Sequence, residues 1–162
     1  MPKVWISLGS NQNREANLCG AITALRGYYG NLYLSKVYES PAVGFDGPIF
    51  YNLVAGFTTS IPPAIINRTL HEIEEQFGRI RSINKFAPRT LDLDLLTWGN
   101  LVTNEAQLKL PRDEILRYAF VLKPLAEIAK DEQHPVLKQT YQQLWAAFDA
   151  TVQPLWPVSL TC

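Results

Sequence analysis

The order of the sequence patterns predicts an α+β sandwich with one mainly antiparallel sheet. Segments in which apolar and polar residues alternate are interleaved with two amphipathic helical segments, and no internal repeat or low-complexity tract breaks the series. With 162 residues, of which 47% are hydrophobic, the chain is long and apolar enough for one substantial core. We therefore expect a single domain over residues 1–162.

Alternation predicts three strands in the first part of the chain. Residues 3–8 alternate and stop at the turn-forming Gly9-Ser10-Asn11, and residues 32–38 close at Ser40-Pro41. Residues 50–59 are rich in aromatic and β-branched side chains, which strands favour. These strands supply the first half of the expected sheet.

Helical spacing of apolar residues predicts two helices that alternate with these strands. The first begins near Arg14 and ends near Gly27 or Gly30. The second begins at residues 60–63, where proline falls in the first turn, and ends at Gly78. Both helices should bury one apolar stripe against the sheet.

The second half of the chain predicts one further strong strand, at residues 90–98, and weaker elements after it. No element is assigned to the residues after Asp149. The remaining expectations are extended pieces at 101–102, at 108–110 and around Phe120, a helical turn after Pro111, and a helix at 137–148.

Asp92 and Asp94 carry the most informative chemistry of the chain. In a strand they alternate with Leu91, Leu93 and Leu95, so the two carboxylates share one face at a spacing of roughly 7 Å. Such a pair repels itself unless a cation bridges it, and oxygen ligands suit Mg²⁺ that is bound together with substrate phosphates. The alternative is that both aspartates pair with neighbouring arginines on a solvated face.

The segment before this strand is basic. Residues 79–89 contain no acid and four cations, which are Arg79, Arg81, Lys85 and Arg89. A metal-binding pair beside a phosphate-sized basic segment indicates phosphoryl transfer. The chain has no Walker A motif and no Cys or His with a partner for a nucleophilic triad, which excludes those two enzyme classes.

Several polar residues near the predicted strand ends are candidates for a ligand site. Gly9 and Ser10 could hold an anion or the edge of a heterocycle, although the motif taken alone favours ordinary turn and cap chemistry. Asn52 can donate and accept at once, which suits the edge of a planar heterocycle. Phe50 and Phe120 could stack on that ring, with core packing as the alternative.

His71 and Glu74 lie on the flank of the apolar stripe of the second helix, one turn apart. There they could border a nucleotide site. Polar residues on a solvated helix face are the alternative interpretation. His134 precedes a proline in a loop, and no role is assigned to it.

A balanced charge and only two cysteines limit the possible partners. Fifteen Lys and Arg match fifteen Asp and Glu, which argues against non-specific binding to nucleic acid or to an anionic membrane. Cys19 and Cys162 are far apart in the sequence, and no signal peptide is expected, so we expect reduced thiols in a cytoplasmic protein. No apolar run approaches the length of a membrane span.

Residues 3–130 resemble the family of 6-hydroxymethyl-7,8-dihydropterin pyrophosphokinases of the folate pathway. The strongest element is Arg79-x-Arg81 followed by Pro88-Arg89-Thr90-Leu91-Asp92-Leu93-Asp94. Three further motifs follow the family's order, and they are Gly9-Ser10-Asn11, Tyr38-x-Ser40-Pro41 and the run from Phe120 to Ala129.

The resemblance implies a three-layer sandwich with a ferredoxin-like core, and transfer of the β,γ-diphosphate of ATP to the pterin hydroxymethyl group. It implies that Asp92 and Asp94 bind two Mg²⁺ ions and that Arg81 and Arg89 act in catalysis. For ATP it implies Glu74 and Arg79, and His71, one turn before Glu74, and Arg112 are assigned to ATP with them. The residues implied for the pterin are Gly9, Ser10, Ser40, Pro41, Ala42, Val43, Phe50, Asn52 and Phe120.

Residues 43–48 and 82–87 are expected to be lids, the second containing Phe86. A monomer that binds only small molecules, neither nucleic acid nor membrane, is expected.

The chain departs from the family at two positions. It has Leu110-Pro111-Arg112 where the family has Leu-Pro-His, and Tyr118 stands where an arginine is expected. Arg112 could replace the histidine as a phosphate donor. Arg117 could replace the arginine, but one residue along a helix turns a side chain by about 100°. These departures leave open a pterin- or nucleotide-binding homologue without catalysis. A nucleotidyltransferase is the other alternative, because Gly-Ser with Asp-x-Asp is also a nucleotidyl-transfer pattern, although 92 − 9 = 83 positions separate Gly9 from Asp92 here.

Overall fold

The computed structural model describes residues 1–43, 46–78, 91–105 and 107–162. The strands are β1 (Lys3–Ser10), β2 (Tyr33–Leu34), β3 (Val37–Ser40), β4 (Phe50–Thr58), β5 (Asp92–Trp98), β6 (Thr103–Glu105), β7 (Leu108–Leu110) and β8 (Trp156–Val158). The helices are α1 (Arg14–Tyr29), α2 (Pro63–Gln76), α3 (Glu114–Arg117), α4 (Ala119–Ile128) and α5 (Tyr141–Ala147).

The main sheet has the strand order β5-β1-β4-β3-β8, with β2 also paired to β4. Each pairing in it is antiparallel. The succession β1-α1-β3-β4-α2-β5 with the order β5-β1-β4-β3 is the ferredoxin-like arrangement. The predicted α+β class with a mainly antiparallel sheet is therefore confirmed.

Helices cover both faces of the sheet and make three layers. Helices α1 and α2 pack through Leu18, Leu25 and Leu70 on the face that carries Leu93 and Leu95 of β5. Helices α3, α4 and α5 cover the other face in a second apolar cluster, which includes Trp5, Val54, Leu96, Leu122 and Tyr141. Among the described residues, none of the helices combines the length and the apolar content needed to cross a bilayer.

Two predicted element boundaries differ near the first strands. Gly9 and Ser10 are the last residues of β1 rather than a turn, because they continue the pairing to Asn52 and Tyr51 of β4. The strand expected at residues 32–38 is divided into β2 and β3. Between them, the Ser35 hydroxyl accepts from the backbone N–H of Val54 (2.8 Å), so a side chain replaces a carbonyl in the ladder.

Three further predictions in the second half are wrong. Phe120 lies in α4 and not near a strand end, and residues 101–102 precede β6 instead of forming a strand. The last helix begins at Tyr141 rather than at residue 137, because Thr140 and Gln143 form a capping box there. The chain before it is a turn in which His134 Nδ1 accepts from the N–H groups of two following residues.

The tail after Asp149, to which the sequence assigned no element, returns to the sheet. Strand β8 pairs with β3, and Cys162 forms a disulfide with Cys19 of α1. The expectation of two reduced thiols is therefore wrong in this structure. Distance along the sequence did not exclude the bond, because β8 brings the two Cα atoms within 5.3 Å of each other.

Candidate active site

The centre of the site is a row of residues on three adjacent strands. In the register of the sheet, Gly9 of β1 is paired with Asn52 of β4 on one side and with Asp92 of β5 on the other. Directly paired residues point to the same face, and neighbouring strands are about 4.8 Å apart. An amide and a carboxylate therefore project from one face about 10 Å apart, with only a glycine between them.

The glycine in this row is required by packing. A Cβ atom added to Gly9 would lie 2.9 Å from Asn52 Oδ1 and 3.9 Å from Phe50 Cδ1. Asn52 is only 5% exposed, and its Nδ2 donates to Ser40 Oγ on β3 at 2.9 Å. The absent side chain therefore leaves room for a buried carboxamide whose orientation is set by a neighbouring strand.

Asp92 and Asp94 lie on the face of β5 opposite Leu93 and Leu95, as the alternation predicted. Arg112 Nη2 lies 3.2 Å from Asp94 Oδ1, and the two side chains are 38% and 30% exposed. Arg112 also pairs with Glu114. Within the described ranges, no three His, Cys, Asp or Glu side chains form a possible metal cluster. Two carboxylates on one face of a strand fit Mg²⁺, which takes its other ligands from water and phosphate.

Glu74 reaches the same strand from the opposite layer. It is 2% exposed, and its Oε2 accepts from the backbone N–H of Leu93 at 2.9 Å. Because β5 is an edge strand, this N–H points away from the sheet toward α2. Glu74 therefore fixes the backbone between the two aspartates, and His71 lies one turn earlier on the same helix. The contacts of Glu74 and His71 with ATP stay a prediction.

A small cleft lies beside the Asn52 end of the row. Its lining includes residues 40–43, 119–120 and 152–155, and its volume is about 200 Å³. Pockets that hold drug-sized ligands measure roughly 300–1,000 Å³. This smaller cleft therefore has room for one fused ring rather than for a whole nucleotide. Of the predicted pterin residues it brings together Ser40, Pro41, Ala42, Val43 and Phe120. Asn52 joins it through Ser40, whereas Gly9, Ser10 and Phe50 are not part of its lining.

Strand β3, which forms one wall, is tied to α4 by Tyr38. The Tyr38 hydroxyl donates to the Glu127 carboxylate. Burial, and then this hydrogen bond, raise the pKa of Tyr38 above its ordinary value. The Tyr38 hydroxyl therefore stays protonated and keeps α4 over the strand that carries Ser40.

One of the two departures from the family motif, Tyr118, lies beside this cleft, whereas Arg112 contacts Asp94. Tyr118 is the extended residue between α3 and α4, and its ring stacks on Phe120 with centroids 5.0 Å apart. The expected 100° rotation between Arg117 and Tyr118 is wrong, because α3 ends at Arg117 and Tyr118 is not helical. The substitution thus places an aromatic ring behind the predicted pterin-stacking ring.

Part of the predicted site lies outside the described residues. This holds for Arg79, Arg81, Lys85, Phe86 and Arg89, and for the whole of the second expected lid. Residues 44–45 of the first expected lid are also outside them. The roles assigned to these residues stay predictions.

Sequence reasoning missed the contribution of the tail to the cleft. Residues 152–155 form one wall, and Gln153 bonds to the backbone on both sides of Tyr118. Trp156 Nε1 donates to Glu39 Oε1 at 3.0 Å, and Arg14 contacts Glu39 Oε2 at 3.1 Å. No periodic pattern marks these contacts, because they join residues at least 25 positions apart.

The strand order, the three layers and the carboxylate pair define a ferredoxin-like α+β protein with a candidate metal and phosphate site at one sheet edge. The chain belongs to the 7,8-dihydro-6-hydroxymethylpterin-pyrophosphokinase (HPPK) family, whose model matches residues 5–130. The family expected from the motifs is thereby confirmed.

Named relatives and solved structures agree with this family. The chain is 34% identical over 135 residues to a 2-amino-4-hydroxy-6-hydroxymethyldihydropteridine pyrophosphokinase of Haemophilus influenzae, covering 81% of this chain and 84% of the relative. The Synechocystis protein of that name is 40% identical, with 77% and 63% covered. A triple mutant of Plasmodium falciparum HPPK-DHPS, crystallised with pteroate, has a TM-score of 0.72 at 14% identity, with 90% and 43% covered. This likeness supports the fold.

Some relatives are much longer than this chain. The folic acid synthesis protein fol1 of Pneumocystis carinii is 40% identical over 137 residues, which are 82% of this chain but 18% of the relative. The chain therefore spans less than two thirds of the length of two of the relatives it matches at 40% identity.

Proposed function

We propose that this chain transfers the β,γ-diphosphate of ATP to the hydroxymethyl group of 6-hydroxymethyl-7,8-dihydropterin, which yields AMP and the pterin diphosphate. The observation that carries the proposal is the row Asn52–Gly9–Asp92. It puts a group that can read a heterocycle edge and a group that can hold a phosphate-bound cation on one face, about 10 Å apart. The family membership supplies the reaction class.

Asp92 and Asp94 would hold two Mg²⁺ ions on the triphosphate side. When bound, these ions neutralise charge on the phosphates and fix their orientation. Arg112 Nη2 lies 3.2 Å from Asp94 Oδ1, and both side chains are about a third exposed. Such an exposed pair contributes about 0–1 kcal/mol, so Arg112 is able to leave Asp94 and donate to a phosphate.

The pterin side is formed by the wall at residues 40–43 together with Phe120 and Asn52. The Asn52 carboxamide keeps Oδ1 for a ring N–H while its Nδ2 is held by Ser40. Phe120 offers a ring face, and aromatic pairs contribute about 0.5–1.5 kcal/mol beyond burial. Phe50, Gly9 and Ser10 lie at the same strand ends and complete the proposed pterin contacts.

The pterin alcohol attacks the β-phosphorus in line and its oxygen forms the new P–O bond. The bond between the β-phosphorus and the oxygen that bridges to the α-phosphate breaks, AMP leaves with its electron pair, and the hydroxyl proton is released to solvent. A strong general base is not needed when cations stabilise the spreading charge. Arg81 and Arg89 are proposed for this role near the reacting phosphorus, and Arg79 for ATP binding. Their family positions support these assignments.

The experiment is a measurement of nucleotide products with Mg-ATP and 6-hydroxymethyl-7,8-dihydropterin. AMP that appears in equal amount with the pterin diphosphate supports the proposal. Release of pyrophosphate instead of AMP would indicate a nucleotidyltransferase. Pterin binding in a calorimeter without any AMP would indicate a binding homologue.

A monomer in the cytoplasm that binds neither nucleic acid nor membrane is part of the same proposal, and it follows from the small-molecule substrates and the balanced charge. The Cys19–Cys162 disulfide counts against the thiol reasoning behind the location. Fractionation of the native source tests the location, and light scattering of the purified chain tests the monomeric state.

A further inference from the structure

We propose that Gln153, which lies beyond the residues matched by the family, positions the start of α4 and thereby sets the affinity of the cleft for the pterin ring. This inference rests on the proposed function, because it assigns the cleft to the pterin. Gln153 is a positioning residue, since it acts through Tyr118 and Phe120 rather than on the reacting atoms.

The contacts of Gln153 span the junction between α3 and α4. Its Oε1 accepts from the N–H of Ala119 at 2.9 Å, and its Nε2 donates to the carbonyl of Arg117 at 2.9 Å. Both partners are backbone groups, and they flank Tyr118. A single carboxamide therefore fixes the extended residue that connects the two helices.

The start of α4 needs such a partner. The first N–H groups of a helix have no acceptor within the helix, and Tyr118 at the N-cap makes no side-chain capping hydrogen bond. Gln153 supplies the missing acceptor from a segment 34 positions away. Phe120, the residue after Ala119, is the ring that lines the cleft.

The segment that carries Gln153 is itself fixed on the sheet. Immediately after it, β8 pairs with β3, and Trp156 Nε1 donates to Glu39 Oε1 at 3.0 Å. The chain then continues to the disulfide between Cys162 and Cys19. Residues 152–155 are thus held as a wall opposite residues 40–43, so a change at Gln153 is transmitted to the cleft rather than absorbed by a loose tail.

The test compares three variants of the full chain. Gln153→Met keeps the length of the side chain but removes both hydrogen bonds. Gln153→Glu keeps the acceptor for Ala119 and loses the donor to Arg117. Gln142→Met, at an exposed position of α5, controls for the introduction of a methionine.

We expect Gln153→Met to raise the KM for the pterin about five- to tenfold, the loss that one or two hydrogen bonds correspond to. The KM for ATP and kcat should stay within twofold of wild type. The pterin KM of Gln153→Glu should fall between those of the wild type and Gln153→Met. Gln142→Met should match the wild type. Calorimetry with the pterin should show the same ranking of affinities.

Two results would overturn the inference while the wild type is active. One is a pterin KM within twofold of wild type in Gln153→Met. The other is an equal rise of both KM values together with a lower Tm, which would reveal a purely structural residue. A wild-type chain that neither forms AMP nor binds the pterin would instead defeat the proposed function, and with it this inference.

Discussion

The family-matched residues 5–130 and the residues after them, 131–162, use their polar side chains differently. Asp94 and Arg112 in the first region are 30% and 38% exposed and lie 3.2 Å apart. His134 in the second region is 3% exposed and accepts two backbone N–H groups, and Gln153 likewise binds backbone. In the first region this pair presents charge at the surface, although the buried Glu74 there also binds backbone, whereas the polar groups of the second region hold the chain in place.

This difference implies a division of effects between the two regions. Changes at the carboxylates should alter the rate and leave the free energy of unfolding nearly unchanged, because exposed ion pairs add little to stability. Changes at buried hydrogen-bonding groups in residues 131–162 should alter stability or substrate affinity but not the chemical step, because a buried group left without a partner destabilises the fold.

The largest effect should come from Asp92→Asn. Loss of one metal-binding carboxylate removes several kcal/mol of charge stabilisation, so we expect AMP formation to fall by about 10²- to 10³-fold. Urea unfolding should be unchanged. Asp131→Asn, at an exposed position in the second region, is the matched control. A rate above one tenth of wild type at saturating Mg²⁺ would contradict the assignment of Asp92 as a metal ligand.

Gly9→Ala tests the pterin half of the same row. The added Cβ would lie 2.9 Å from Asn52 Oδ1, so the carboxamide must move. We expect an approximately tenfold weaker affinity for the pterin, the effect of one lost hydrogen bond of about 1.4 kcal/mol. Isothermal calorimetry measures this change.

Gly27→Ala is the control for this substitution. A Cβ at Gly27 meets no atom within 4 Å, and alanine in a helix is favoured over glycine by about 0.5–1 kcal/mol. Gly27→Ala should therefore bind pterin as wild type does and be more stable. Equal pterin affinity in the two variants would show that the close approach of Gly9 to Asn52 has no role in binding.

Tyr118→Arg should have a smaller effect, and it sharpens the comparison on the nucleotide side. An arginine there restores the charge that the family motif leads one to expect, and a charged hydrogen bond to phosphate predicts a several-fold lower KM for ATP. The stack on Phe120 is lost, so the KM for the pterin should rise. Tyr118→Phe keeps the stack and should match wild type in both constants. An unchanged KM for ATP in Tyr118→Arg would show that position 118 does not reach the nucleotide.

The sequence was sufficient for those features that depend on local period. Alternation in residues 90–98 placed both aspartates on one face, and helical spacing placed Glu74 beside the apolar stripe. The row through Gly9 was not visible, because the register between strands depends on pairing between distant residues.

Helix α4 and the tail were missed for different physical reasons. The apolar residues Val121, Leu122 and Leu125 follow helical spacing, but Pro124 opposes a helix locally, and burial of Leu122 and Leu125 on the sheet decides for one. The disulfide and the contacts of Gln153 join residues brought together only by the folded sheet. No spacing within the sequence encodes such contacts.

The smallest effect, and the one confined to the second region, concerns His134. Burial lowers the pKa of His134, and its Nδ1 accepts from the N–H groups of Val136 and Leu137 at 3.2 and 3.1 Å, which requires the neutral ring. The unfolded chain, in which a histidine has a pKa of about 6.5, therefore takes up the proton first. The stability that His134 contributes is therefore fully present above a pH of about 6.5. It is lost as the pH falls toward the lower pKa that His134 has in the folded chain.

Urea unfolding between pH 7.5 and 5 measures this loss in the wild type and in His134→Ala. The variant should be less stable at pH 7.5 by about 0.5–1.5 kcal/mol, because the N–H groups of Val136 and Leu137 lose their acceptor. Its stability should also fall less steeply with acid than that of the wild type, since one titrating group is absent. Parallel pH profiles would contradict the neutral, accepting state of His134. A changed rate of AMP formation at pH 7.5 under fully folded conditions would break the division between the two regions, because His134 belongs to the one that holds the chain and not to the one that presents charge.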